Sequence, residues 1–121
     1  MHVQMNGARL LGAFAFTQPE NFQKLAPAAK DLLLSALDDF KSFIPLCRWV
    51  IAALCNIAVL VAISEKELKT IWSVAKLHID DVQTVEFFCH LLSVVGKSLD
   101  FDYCVDFLVH ALNIPNIAVQ V

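Results

Sequence analysis

The stretch CRWVIAALCNIAVLVAI, residues 47–63, decides the fold because nearly all of its side chains are apolar. From Trp49 onward its only strongly polar side chain is Asn56. A helix that is apolar on all sides belongs in the middle of a helical protein or in a membrane. The small alanines of this stretch would let neighbouring helices approach closely. We therefore predict an apolar central helix over residues 45–63, with the other helices packed around it.

A membrane span is the alternative for the same stretch. The 15 residues 49–63 would form a helix of about 22 Å, whereas crossing the hydrocarbon core takes about 20 residues. Extending the helix to residues 43–63 reaches that length but includes Pro45 and Arg48, both near one end. Proline is tolerated in the first turn of a helix, and a long arginine side chain can reach the interface. A span over residues 43–63 therefore stays open beside the buried helix.

The composition indicates that part of the apolar surface is covered by something else. Hydrophobic residues make up 58% of the 121 residues and charged residues only 17%. Soluble domains have roughly 45–50% apolar and about 25% charged residues, so this small domain has few polar side chains with which to cover itself. We expect some of the apolar surface to face a protein partner or lipid.

Charge and cysteine usage narrow the class of protein. The net charge is −3 and there is no basic run, which argues against a chain that binds nucleic acid by itself. The four cysteines lie among apolar residues and form no CxxC pair. They are typical of reduced, buried thiols, so we predict an intracellular protein in a reducing compartment.

The pattern of apolar residues is helical throughout and predicts a single all-helical domain over residues 1–121. The expected all-α fold has about seven helices in stacked antiparallel pairs, either solenoid-like or an irregular bundle, around the central helix. The predicted helices cover residues 6–16, a short segment near 19–25, residues 27–40 and 45–63, a segment that follows the Ser64 cap and carries Leu68, Ile71, Trp72 and Ala75, and residues 80–95 and 100–113.

Local signals place several helix ends. Thr17 stands three residues before Glu20, and Ser64 stands three residues before Glu67, so each pair is predicted to form a capping box. Asp80 is the predicted cap of the next helix, whose end is predicted at Gly96. Prolines 27 and 45 are predicted to lie in first turns, where their missing N–H costs nothing.

Helix-sized segments share a pattern at offsets near 36 and 60 residues. At an offset of 60, residues 11, 15, 22 and 25 match residues 71, 75, 82 and 85 in character. Spacings near 36 residues suit two-helix repeats, although unrelated apolar helices also produce such matches. An internal repeat is therefore a hypothesis that the sequence leaves open.

The segment SEKELKTIWSVAKLHI, residues 64–79, resembles the L..ILWALAKL helix of octotricopeptide and heptatricopeptide repeats. Those repeats occur in FAST-kinase-like and RAP-domain proteins of organelles, and RLLGAFAF and DFLVHALNI are looser versions of the same helix. The resemblance implies paired helices stacked as a solenoid, bound to organellar RNA or held in a mitochondrial ribosome. The acidic charge, the irregular repeat length and the absence of a RAP-like segment depart from that pattern and count against direct RNA binding.

Candidate sites are few, and none of them indicates an enzyme. Glu86 and His90 are four residues apart, as are Asp106 and His110, so each pair would share a helix face. Together they could bind a metal only if the last two helices packed antiparallel. We adopt the simpler reading of ordinary acid–histidine pairs, with no catalytic residue, metal or cofactor. The predicted partner-interface residues are Trp49, Phe87, Phe88 and Leu91.

The sequence therefore predicts a non-catalytic structural or adaptor subunit, held in a larger assembly by apolar surface. The resemblance favours an organellar RNA–protein complex such as a mitochondrial ribosome, in which RNA would be contacted only as part of the complex. The alternative is a membrane-associated accessory subunit of a mitochondrial membrane complex, with the helix over residues 43–63 as its span.

Overall fold

The computed structural model describes residues 2–95 together with Val109 and Leu112. The predicted all-α class is confirmed for these residues, which contain helices and no strand. Their helices number six rather than about seven, and the predicted helix over residues 100–113 lies outside the described part apart from Val109 and Leu112. The helices are α1 His2–Thr17, α2 Pro19–Phe22, α3 Ala26–Asp39, α4 Ile44–Ile57, α5 Glu65–Leu77 and α6 Val82–Val95.

The helix predicted to be central is buried, but it is shorter than expected. α4 packs against α1 most extensively, then against α6 and α3. Eight of its side chains are buried, and this is why the stretch is apolar on most sides. The buried side chains of α4 are Leu46, Cys47, Val50, Ile51, Ala53, Leu54, Cys55 and Ile57.

The prediction that this helix continues to residue 63 is wrong, because α4 ends at Ile57. The chain turns there, and the N–H groups of Leu60 and Val61 both donate to the carbonyl of Ile57. Side chains from distant segments then bind two carbonyls of the turn: Gln23 Nε2 donates to Leu60 O at 2.8 Å, and Lys30 Nζ to Ala62 O at 3.2 Å. These donors replace the partners that a longer helix would have provided.

The described part of the chain contains no helix that is both long enough and apolar enough to cross a membrane.

α1 packs on α4 through a face of small residues. Ala8, Gly12 and Ala15 are the buried residues of α1. A Cβ atom placed on Gly12 would lie 2.9 Å from the Cα of Ala53, closer than real Cβ contacts occur. Asn56 Nδ2 also donates to the carbonyl of Gly12 at 3.0 Å, so the one polar side chain of the apolar stretch joins the two helices.

Three pairs of non-consecutive helices run in the same direction: α1 and α4, α4 and α6, and α3 and α5. In three helix pairs, the residue numbers of the contacts rise together along both helices. The contacts are Arg9–Trp49 and Gly12–Ala53 for α1 and α4, Arg48–Asp81 and Cys55–Phe87 for α4 and α6, and Lys30–Glu67 and Lys41–His78 for the α3 and α5 segments.

The predicted helix caps have mixed outcomes. The capping box of Ser64 and Glu67 is confirmed, with both of its hydrogen bonds present. The box predicted for Thr17 and Glu20 is wrong, because Thr17 Oγ1 donates instead to Ala13 O within α1, and Gln18 precedes α2. The hydroxyl of a threonine inside a helix bonds back to the preceding turn, so it is not free to cap the next helix.

Two further predicted ends can be compared with the structure. The cap predicted at Asp80 is provided by Asp81, whose carboxylate accepts from the N–H of Thr84 at 3.0 Å. Prolines 27 and 45 lie in the first turns of α3 and α4, as predicted. The first helix begins at His2 rather than at residue 6. The end predicted at Gly96 lies outside the described residues.

We predict that Gly12→Ala destabilises the protein and that Gly7→Ala does not. Alanine favours a helix by about 1 kcal/mol over glycine, but overpacking costs about 1–3 kcal/mol. At Gly12 the new methyl meets the backbone of Ala53, which cannot rotate away, so we expect a net loss in the free energy of unfolding of up to about 2 kcal/mol. Urea unfolding followed by circular dichroism measures this.

Gly7 is the matched control, since a Cβ there meets nothing within 4 Å. Gly7→Ala should gain up to about 1 kcal/mol from helix propensity alone. Equal stabilisation by both substitutions would contradict the close helix contact at Gly12.

Candidate interaction surface

Trp49 is the most prominent aromatic side chain on the surface of the central helix. It lies on α4 and remains 40% exposed, although the residues that follow it up to Ile57 are all partly or fully buried within the protein. The guanidinium carbon of Arg9 lies over its ring, 5.9 Å from the centroid. Such a cation–π contact holds both side chains in place while leaving part of the indole accessible.

Within the part of the chain that the structure describes, the guanidinium of Arg9 has no acidic partner. None of the ion pairs among the described residues involves Arg9, and α1 carries no acidic residue. A planar guanidinium can hold a carboxylate through two parallel hydrogen bonds. The Arg9 and Trp49 pair therefore offers an apolar ring with an adjacent cation.

A shallow groove runs between α1 and α4 on one side of Trp49. Its walls are mostly alanine and glycine, so the helix backbones are close to the surface there. The side chain of Asn56 lies in this groove, where its amide nitrogen is bound to Gly12 O. The lining residues are Ala8, Arg9, Gly12, Ala13, Trp49, Ala52, Ala53 and Asn56.

A second groove, between α4 and α6, lies on the other side of Trp49 and has a volume of about 240 Å³. Its apolar walls come from Pro45, Trp49 and Phe87, and its polar groups come from Arg48 and Gln83. Five of the residues that line the two grooves define what we call the Trp49 surface: Arg9, Pro45, Trp49, Gln83 and Phe87. Trp49 is shared by both grooves, so a partner seated in either would contact it.

Arg48, which lines the second groove, is held by a hydrogen-bonded ion pair with Asp81. Arg48 Nε donates to Asp81 Oδ2 at 2.8 Å, and Arg48 Nη2 donates to Asp81 Oδ1, which makes the pair bidentate. Asp81 Oδ2 also accepts from the backbone N–H and the hydroxyl of Thr84 in the first turn of α6. The same carboxylate therefore caps α6 and joins it to α4.

These contacts set the protonation of the pair. The Arg48 guanidinium, supported by the Thr84 donors, holds the pKa of Asp81 well below its usual range, although partial burial opposes this. The hydrogen bond to Asp81 correspondingly raises the pKa of Arg48. Both groups are charged at neutral pH, so Arg48 is neutralised within the protein and is not the cation that a ligand would meet first.

The four residues predicted as a partner interface do not lie together. Trp49 is exposed and Phe87 is half-buried, and both line the second groove. Phe88 and Leu91 have no exposed surface and belong to the core. The ring of Phe88 stacks on that of Trp72 at 5.7 Å between centroids, so this pair holds α5 against α6. A partner contact through Phe88 or Leu91 is therefore corrected to core packing.

Sequence reasoning missed an exposed apolar stripe along α1. Val3 is 82% exposed, Leu10 49% and Phe14 48%, and Gly7 lies between them on the same side of the helix. The sequence signal for this stripe is the spacing of four, three and four residues between Val3, Gly7, Leu10 and Phe14. This is the spacing of the apolar positions in a heptad repeat. A helix that begins only at residue 6 leaves out Val3 and breaks the pattern, so the stripe is visible only once the helix is known to begin at His2.

The chemistry of the remaining titratable groups is limited. Burial raises the pKa of the Cys47 thiol to about 11 and that of Cys55 to about 12, and it also raises the pKa of Cys89. Thiols in this state are protonated and poor nucleophiles at neutral pH. Glu86 and His90 are both exposed on α6, while Asp106 and His110 lie outside the described residues. Within the described residues no three metal-ligating side chains cluster.

Comparison with known proteins adds no relative. The chain matches no protein-family model, and no similar curated protein or solved structure is found. The interpretation therefore depends on the geometry described above and on the residues that form it.

We predict that Asp81→Asn lowers stability at neutral pH and that the loss disappears in acid. A depressed pKa in the folded state contributes stability that is present above the unfolded pKa, near 3.9, and is lost as the pH falls through the folded pKa. The wild type should exceed the variant by about 1–2 kcal/mol at pH 7, a modest value because the Arg48 side chain is 35% exposed. The difference should shrink from about pH 5 downward.

Urea unfolding at several pH values measures this difference between the two proteins. Hydrogen bonds from Ser64 and Lys30 also lower the pKa of Glu67, against the effect of its partial burial, but Glu67 is present in both proteins and its contribution cancels. A difference that stays constant with pH would mean that packing, and not the ion pair, accounts for the loss.

Proposed function

We propose that this protein is a non-catalytic structural or adaptor subunit of a larger assembly, and that a protein partner binds at the Trp49 surface. The exposed Trp49 carries the proposal, since it stands between two grooves and under a guanidinium that no acidic group of the described residues pairs. Tryptophan and arginine are the residues most enriched at the energetic centres of interfaces. Trp49 lies on the largely buried helix α4, and Arg9 lies on α1, which packs closely against α4, so both side chains are carried by packed helices.

The architecture that we propose is a short stack of helical pairs. Helices α1, α4 and α6 would form one row and α3 and α5 the other, with each row made of helices that run in one direction. The contacts whose residue numbers rise together support this arrangement. So do the offsets near 36 residues in the sequence, and each such unit can bury its apolar face only against its neighbours.

The partner is expected to present an apolar side chain flanked by a carboxylate. The grooves beside Trp49 are lined mainly by apolar groups, and Arg9 is the cation there that no acidic group of the described residues neutralises. Nucleic acid is the less suitable ligand for this chain alone, because the net charge is −3 and Arg48 is neutralised by Asp81. RNA would be close to this chain only through the assembly that contains it.

For the identity of the assembly, we propose an organellar RNA–protein complex such as a mitochondrial ribosome. This part rests on the resemblance of residues 64–79 to octotricopeptide and heptatricopeptide helices. Those residues form α5 with its confirmed capping box, and the free cysteines among the described residues agree with a reducing compartment. The adaptor is favoured over a membrane accessory subunit because the apolar side chains of α4 are used in packing against α1, α3 and α6.

Sedimentation of cell extracts tests the proposal directly. We predict that the wild-type chain sediments with a large complex, and that Trp49→Ala and Arg9→Glu each shift most of it to the position of the free protein. Loss of a central aromatic anchor typically costs about 2 kcal/mol or more, a factor of about 30 in affinity. Nuclease treatment of the wild-type extract shows whether the complex contains RNA.

Leu77→Ala is the matched control, because Leu77 is 63% exposed at the end of α5 and lies in neither groove. Arg9→Glu guards against a folding artefact, since Arg9 is exposed and its replacement leaves the core intact. If both variants of the Trp49 surface sediment like the wild type and the control, the proposed interface is wrong.

A further inference from the structure

The groove between α1 and α4 contains one cation and one amide among apolar walls. Of the residues that line it, Arg9 carries the only charge and Asn56 the only side-chain amide. The guanidinium of Arg9 lies over the ring of Trp49, and no ion pair among the described residues includes it. A molecule bound in this groove therefore meets a positive charge at Arg9 and an amide at Asn56.

The amide of Asn56 has an open acceptor whose identity follows from its neighbour. The carbonyl of Gly12 can only accept, so the group that faces it is Nδ2, and Oδ1 is the other atom of the amide. No donor among the described residues binds this Oδ1. Asn56 is half-buried and lines the groove, so an N–H of a bound molecule would satisfy its oxygen.

The spacing of the two polar groups suits an extended peptide. Trp49 and Asn56 are seven residues apart on α4, which is about 10 Å along the helix axis. Because the guanidinium of Arg9 lies over the Trp49 ring, roughly the same distance separates the cation from the amide. An extended chain rises about 3.3 Å per residue, so a carboxylate and an N–H about three residues apart would span the two groups.

The size and the walls of the groove also favour an extended segment. Its volume is about 200 Å³, below the roughly 300–1,000 Å³ of typical small-molecule sites. The alanines and glycine of its walls allow the backbone of a bound chain to come close. A partner helix is less suitable, because it is about 10–12 Å wide and its N–H groups are bonded within the helix.

We infer that the groove between α1 and α4 binds an extended acidic segment of a partner protein. An Asp or Glu carboxylate of that segment pairs with Arg9, and a backbone N–H donates to Asn56 Oδ1. The charges are complementary here and not in the second groove, where Asp81 already neutralises Arg48. Arg9 is exposed, so the partner chain can continue past it, and the carboxylate is that of a side chain within the segment. This inference rests on the proposed function and assigns its partner to one of the two grooves.

Fluorescence of Trp49 tests the acidic group. Trp72→Phe leaves Trp49 as the only tryptophan of the full chain and keeps a ring that can stack on Phe88. The probe is the peptide acetyl-Ala-Val-Ala-Asp-Ala-Val-Ala-amide, and the matched peptide has Asn in place of Asp. The Asp peptide should bind about tenfold more tightly, because a carboxylate forms charge-assisted hydrogen bonds with a guanidinium. Arg9→Gln should abolish this difference between the peptides.

Filling the groove tests the place of binding. Ala13→Leu adds a larger side chain to an exposed lining residue, and it should weaken binding of the Asp peptide about tenfold or more. Ala28→Leu is the matched control, because Ala28 is an exposed alanine of α3 that lines neither groove. It should leave the affinity unchanged. Circular dichroism checks that both variants retain their helices.

Ester peptides test the hydrogen bond to Asn56 without altering the protein. In each of two Asp peptides, an ester oxygen replaces one N–H, three residues before the Asp in the first and three residues after it in the second. One of the two should bind several-fold more weakly than the parent peptide, and its identity gives the direction of the bound chain. Equal affinity of both esters and the parent would show that Asn56 Oδ1 binds no N–H of the segment.

Failure of this inference can be distinguished from failure of the proposed function. If Trp49→Ala releases the chain from the large complex but the Asp peptide binds no better than the Asn peptide, the proposed function stands and the inference is wrong. Insensitivity of the Asp peptide to Ala13→Leu would also overturn it. A single-stranded RNA oligonucleotide that binds through Arg9 more tightly than the Asp peptide would overturn the assignment to a protein segment.

Discussion

The close packing of α1 on α4 is the constraint on which the rest of the structure depends. At Gly12 the two backbones approach within the distance that a single methyl group would occupy, and Ala53 provides the matching small residue. Asn56 then binds the carbonyl of Gly12, so its amide is satisfied at the helix contact. This contact sets α1 firmly enough for its outer face and for Arg9 to have defined positions.

Polar interactions fix the other side of α4 and the turn that follows it. Asp81 caps α6 and binds Arg48 of α4, so the start of one helix is tied to the start of another. Lys30 plays the corresponding part between α3 and the α5 segment, since it donates to Ala62 O and to Glu67. In both cases one side chain satisfies a helix end and a tertiary contact together, which makes these partly buried charges favourable.

Capping signals in the sequence predicted a helix end correctly where the capping side chain had no other hydrogen-bond partner. Ser64 and Glu67 follow a non-helical turn, so their capping box forms as the pattern predicts. Thr17 has the same spacing to Glu20, but it still belongs to α1 and bonds back to Ala13. The end of α4 was equally unpredictable, because Gln23 and Lys30 stabilise the turn from more than 30 residues away. Helix propensity is a property of the local sequence, so it does not include hydrogen-bond partners that only the tertiary fold brings close.

The candidate surface also could not be predicted from the local sequence alone. Hydrophobic residues identify both core and interface, and only the packing of the helices separates Trp49 and Phe87 from Phe88 and Leu91. Adjacent residues of a helix point about 100° apart, so a run such as Phe87 and Phe88 must divide between a groove and the core. The side chains of α1 are divided in the same way. Its small buried residues pack against α4, and Arg9 lies over the ring of Trp49. Val3, Leu10 and Phe14 remain exposed. A chain with so few charged residues thus divides its apolar side chains between a buried core and exposed helix faces that the packing defines.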